Sequence, residues 1–123
     1  MGKIKSFTDL FAWQEGHKLA TEIYKATDRF PKKEEYSLTS QMRRCSISIT
    51  SNIAEGFSRQ NPKEKAQFYY ISLGSITELQ NQLLLARDIN YLDKKEFDNL
   101  AQQTIKTNKL VNGLIKSTKT LNT

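Results

Sequence analysis

The side chains able to do chemistry are few. His17 is the only histidine and Cys45 the only cysteine in 123 residues. A zinc site needs several His, Cys or carboxylate ligands together, and the further His or Cys ligands are missing. A di-iron bundle needs two Glu-x-x-His units, and the sequence has none. There is no glycine-rich phosphate loop and no Gly-x-Ser-x-Gly elbow. Two sets of residues remain. One is a polar group on two successive stretches: Asn52, Glu55, Gly56, Arg59, Ser75 and Glu78. The other is basic: Arg43 and Arg44, then Lys106, Lys109, Lys116 and Lys119.

The polar group has two readings. It is either a binding site or part of the packing, with Asn52 satisfying buried polar groups, Gly56 and Gly74 allowing helices to approach, and Arg59 pairing with Glu55 one turn away. A buried polar group is costly without such partners, which favours structure and assembly. The basic set also has two readings. Formal net charge is +6, and after Asp98 there is no acid while four lysines follow. That balance suits a polyanionic partner, and it equally suits a solvated helix face. The expectation is a protein that is not an enzyme, with no cofactor and no metal.

These residues must be placed by helices. Apolar content is 37% and charged content 26%, as in a single domain with a modest core. The periodicity predicts helices over about 9–29, 37–59, 62–90 and 94–119. Thr8 or Asp9 can cap the first, and Phe30-Pro31 ends it, because the residue before proline avoids the α region. Asn61, Pro62 and Glu64 mark the third start, and Asp93 with Glu96 the fourth. The inward stripe of the first helix reads Leu10, Trp13, His17, Ala20, Tyr24 and Thr27, with Ile23 beside it. That of the third reads Phe68, Ile71, Ser72, Ser75, Leu79, Gln82, Leu83 and Ala86. The fourth presents Phe97, Leu100, Thr104, Thr107, Val111, Leu114 and Ile115. Short links force antiparallel neighbours, so the expected fold is all-α, an up-down-up-down antiparallel four-helix bundle in one domain, 1–123. His17 then lies near Ile49 and away from Cys45, which argues against a Cys-His nucleophile pair.

The second helix carries the main clue to assembly. From Cys45 to Ala54 there is no charge at all, although a helix with one solvated face should carry some. Leu38, Met42, Cys45, Ile49, Asn52, Ile53 and Gly56 make one face; Ile47, Ser51 and Ala54 make a second that is small and apolar. Tyr69 and Leu73 on the third helix also look too apolar for open water. Ile47, Ser51, Ala54, Tyr69 and Leu73 are therefore the expected contacts between copies of the chain. No apolar run approaches the roughly 20 residues that span a bilayer. The start, Met1 to Ser6, lacks an apolar export segment, though it fits the short acylation pattern at Gly2. A lone core cysteine agrees with a reducing cytoplasm.

Several blocks together resemble one family. They are Phe7 to Gln14; Phe30-Pro31 with Glu34 or Glu35 and Tyr36; Gln41-Met42-Arg43-Arg44; Ser48 through Gly56 with Arg59; and Gly74-Ser75-Ile76-Thr77-Glu78-Leu79. The family is that of the four-helix-bundle rRNA intervening-sequence proteins, and the similarity runs from Phe7 to at least Leu92. It implies a bacterial, cytoplasmic homo-oligomer, a pentameric ring with a central channel. A related protein assists the reverse transcriptase of diversity-generating retroelements and is thought to bind nucleic acid. The expected function is thus a homo-oligomer binding RNA or DNA through its basic surface. The alternative is a scaffold for a protein partner.

Overall fold

The computed structural model describes residues 3–121, so Gly2 of the acylation pattern lies outside it. Among the described residues there are four α-helices and no strand: α1 Phe11–Thr27, α2 Leu38–Ser58, α3 Pro62–Asp88 and α4 Lys94–Leu121. Each helix packs on the next, and α4 closes on α1, giving the up-down-up-down bundle. Among the described residues no helix is long and apolar enough to cross a membrane.

The ends are set by local chemistry. A 3-10 turn, Phe7–Asp9, precedes α1 and is held by reciprocal bonds between Ser6 and Asp9. The helix therefore starts two residues later than the sequence suggests, at Phe11, behind an N-cap residue, Leu10, that supplies no side-chain bond. Asn61 accepts from the Lys63 amide at 2.8 Å and Pro62 takes the first helical position of α3. That helix ends on Asn90 in the left-handed region, φ 66°. The Tyr91 and Asn90 amides bond back to Ala86 and Arg87 carbonyls, as in a Schellman motif. Asp93 and Glu96 exchange backbone bonds at 2.8 and 3.2 Å to start α4.

The core is filled by Leu19 and Ile23 of α1, Met42, Ile49 and Ile53 of α2, Ile76, Leu79 and Leu83 of α3, and Val111 of α4. Two stripes differ from the sequence expectation. In α1 the buried face is Ala12, Gly16, Leu19, Ile23, Ala26 and Thr27. Trp13 and Ala20 are half-buried beside it, and His17 and Tyr24 are exposed. The reason is close packing: a Cβ on Gly16 would lie 3.1 Å from Thr50 Cγ2, so only a small residue lets α1 sit this near α2. The aromatic residues are displaced to the rim, where Trp13 stacks on His17 with centroids 4.7 Å apart. In α3, Tyr69 and Ile76 take the places expected for Phe68 and Ile71. Phe68 is half-buried and Ile71 is 52% exposed.

Candidate functional site

The polar signature lies along the seam of α2 and α3. Ser72 Oγ donates to the Ile49 carbonyl at 2.9 Å, and Cys45 Sγ to the Ser75 carbonyl at 3.0 Å. Ser48 and Ser75 share a hydroxyl bond of 2.8 Å, and Asn52 Nδ2 donates to the Ser48 carbonyl and hydroxyl at 2.8 and 3.1 Å. Serines are short enough to reach the opposite backbone only because the helices run close together. Gly56 makes that possible at the lower end: a Cβ there would lie 2.7 Å from Tyr69 Cε1. Beyond it, Arg59 pairs with Glu55 at 3.2 Å and covers the Phe68 ring at 4.9 Å. Lys65 Nζ donates to the Phe57 carbonyl at 2.7 Å, satisfying the end of α2, and burial holds its pKa below the usual lysine value.

Tyr69 is only 3% exposed and lies against the Gly56 backbone, so it belongs inside the chain rather than at a subunit contact. Leu73 is half-buried and also packs on the core. The glycine draws that side of α3 inward, which takes Tyr69 off the outer surface expected for it, whereas Leu73 keeps part of its surface. Ile47 is 45% exposed, Ser51 is exposed and Ala54 is half-buried. On α3, Ile71, Gly74 and Thr77 are exposed. Nothing lies within 4 Å of a Cβ built on Gly74. Between Lys65 and Arg87 the only charge is Glu78. A helix so apolar all round is normally covered all round. Two polar groups near this side lack partners among the described residues: Gln82 Oε1, in a side chain 8% exposed, and the Arg44 guanidinium.

The six basic residues do not form one patch. Arg43 and Arg44 are on α2, while the lysines are on α4, across the diagonal of the bundle. Arg43 is tied to α1: it donates to Thr27 Oγ1 at 2.9 Å and stacks on Tyr24 at 4.5 Å. Lys106 pairs with Glu15 at 3.3 Å, and Lys119 lies over the Tyr70 ring at 5.5 Å. Glu15 is held below the usual carboxylate range by the Gln103 amide first and by Lys106 second. Lys109 makes no such contact.

The Cys45 thiol is not activated. Burial, reinforced by the charge of Glu78, pushes the Cys45 thiol up to about 12, which removes the thiolate a nucleophile needs. His17 is on α1 against Trp13, away from it. Among the described residues no cluster of His, Cys, Asp and Glu could hold a metal.

The structure also contains a feature absent from the sequence reading. A groove of about 590 Å³ runs between the start of α1 and the second half of α4. Leu110 and Leu114 line it, Gly113 leaves it open, and Phe11, Lys3 and Lys109 border it. Phe11 is 72% exposed. A phenylalanine outside the buried stripe and a mid-helix glycine were the available signals.

The family profile described as 23S rRNA-intervening sequence protein matches residues 8–113. Among solved structures, a protein of unknown function from the S23 ribosomal protein family of Bacteroides thetaiotaomicron shares this fold. It superposes with a TM-score of 0.76 at 22% identity, over 85% of this chain and 98% of that one. No curated protein matches the chain.

Proposed function

The chain belongs to the 23S rRNA-intervening sequence protein family, and on that footing we propose that it is a non-enzymatic homo-oligomer, the pentameric ring implied by the family resemblance, that binds RNA or DNA through its basic surface in the cytoplasm. The observation that carries the assembly is the outer side of α2 and α3. Ile47 and Ile71 are 45% and 52% exposed there, in a stretch with almost no charge. Gly74 adds a second argument. A glycine inside an exposed helix costs about 1 kcal/mol relative to alanine, and nothing within its own chain occupies the space it leaves. A neighbouring copy packed on this face uses that space.

Assembly then multiplies charge. Each copy adds +6, and cations gathered at that density favour a polyanion that releases counterions on binding. Arg43 is committed to α1, so Arg44 and Lys109 are the cations best placed to meet phosphates. Contacts of this kind read backbone and shape, not sequence.

The test is a fluorescence titration with mixed RNA and DNA oligomers across a salt series. Binding should weaken steeply, with a log–log slope of about −0.9 for each phosphate neutralised on duplex DNA. Arg44→Ala and Lys109→Ala should each flatten that slope. Protein that binds no nucleic acid at low salt, yet retains a protein partner in pull-downs, would replace this reading with a scaffold.

A further inference from the structure

The groove between α1 and α4 lies on the side of the bundle opposite the α2–α3 face. It combines three properties. It has room, about 590 Å³ with an apolar wall of Leu110 and Leu114. It has a flat aromatic side chain, Phe11, at 72% exposure. It has two cations at its border, Lys3 and Lys109, with no hydrogen-bond or ion-pair partner among the described residues. The acid that also lines it, Asp9, accepts the Lys5 and Ser6 backbone amides at 2.9 and 3.0 Å, which partly offsets its charge.

These properties select among occupants. Two lysines at the rim call for an anionic occupant, and a second copy of the chain, at +6, is a poor source of one. A fully apolar ligand would leave both lysines unused. A nucleotide within a strand has both parts: a flat π-face to lie on an aromatic ring, and phosphates on either side to meet lysines. We infer that the α1–α4 groove receives a base of single-stranded nucleic acid stacked on Phe11, with Lys3 and Lys109 on the flanking phosphates. This assignment rests on the nucleic-acid reading above and adds a location and a preference for unpaired strands to it. Stacking on an aromatic ring accepts every base, so the groove confers no strong sequence preference.

Gly113 provides a variant that separates blocking from misfolding. Nothing lies within 4 Å of a Cβ at this position. A leucine there would project into the groove, and it is a better helix former than glycine. The experiment compares anisotropy titrations of the full chain with a fluorescein-labelled oligouridylate and an abasic ribose-phosphate strand of equal length, across salt. The oligouridylate should bind at least about fivefold more tightly, the lower end of what one stacked base contributes. Phe11→Ala should abolish that difference and keep the salt dependence. Gly113→Leu should reduce oligouridylate binding to the abasic level while raising the melting temperature. Equal, salt-sensitive binding of both strands by the unaltered protein would overturn the groove assignment and spare the general nucleic-acid reading. Failure to bind either strand at low salt would overturn both. A changed oligomer mass for Gly113→Leu with both affinities unaltered would put a second copy in the groove and refute the assignment.

Discussion

Gly56→Ala is the sharpest test of how α2 meets α3. The added methyl carbon would sit 2.7 Å from Tyr69 Cε1, 3.0 Å from Tyr69 Cδ1 and 3.1 Å from the Lys65 carbonyl oxygen. The tyrosine cannot simply swing aside, because it is 3% exposed and packed in the core. Overpacking of this kind costs about 1–3 kcal/mol. Alanine returns about 1 kcal/mol through its helix preference. The net expectation is a loss of about 1 kcal/mol, nearer 2 if the ring is held firmly. For a domain of this size that lowers Tm by about 4 °C per kcal/mol. The assay is thermal unfolding followed by circular dichroism at one fixed protein concentration, because the proposed assembly would make Tm depend on concentration. Tyr69→Leu in the same background should recover part of the loss, since the clash is with the ring. An unchanged or raised Tm for Gly56→Ala would show that Tyr69 does not sit over the glycine, and the register of α3 on α2 would be wrong.

Gly74 should respond with the opposite sign. Gly74→Ala should leave the helical fold as stable or stabilise it by about 0.5–1 kcal/mol; Gly74→Arg should keep helicity by circular dichroism and lower the solution mass, and an unaltered mass would remove this position from the subunit contact. Cys45 should resist a water-soluble disulfide reagent at pH 8 in folded protein and react promptly in denaturant; rapid native labelling would contradict its burial. The same thiol predicts an alkaline effect. It titrates near 9.0 when unfolded and at about 12 when folded, so its contribution to stability is complete below pH 9 and is lost as pH rises toward 12. Chemical denaturation from pH 8 to 10.5 should therefore show a shallower decline for Cys45→Ala than for the unaltered chain, and parallel curves would contradict the assigned shift.

The helices were legible because their signals are local. Pro62 after Asn61, and Asp93 with Glu96, announce starts that the backbone bonds reproduce. The end of α1 before Pro31 follows from the steric restriction that proline imposes on its predecessor. Facing was harder. Trp13, His17 and Tyr24 repeat at helical spacing and look like a core stripe, but Gly16 brings α1 so near α2 that the buried face turns to Ala12, Gly16, Leu19, Ile23 and Ala26. A glycine's use depends on what lies opposite, and that is a tertiary fact. Gly56 faces Tyr69 and Gly16 faces Thr50, whereas Gly74 and Gly113 have nothing within 4 Å among the described residues. The basic residues mislead for the same reason. Arg43 and Arg44 are adjacent in sequence, yet one is bonded to Thr27 and the other is unpaired. The α1–α4 groove needed both helices in place, since Phe11 and Gly113 are far apart along the chain.

The claim on which the account depends is that the outer side of α2 and α3 is covered by another copy of the chain. Sedimentation of the unaltered protein and of Ile47→Glu, at matched concentrations and in moderate salt, measures it directly. The account predicts a discrete homo-oligomer for the first and a helical monomer for the second. A monomer for the unaltered chain, or the same oligomer for both, would contradict it.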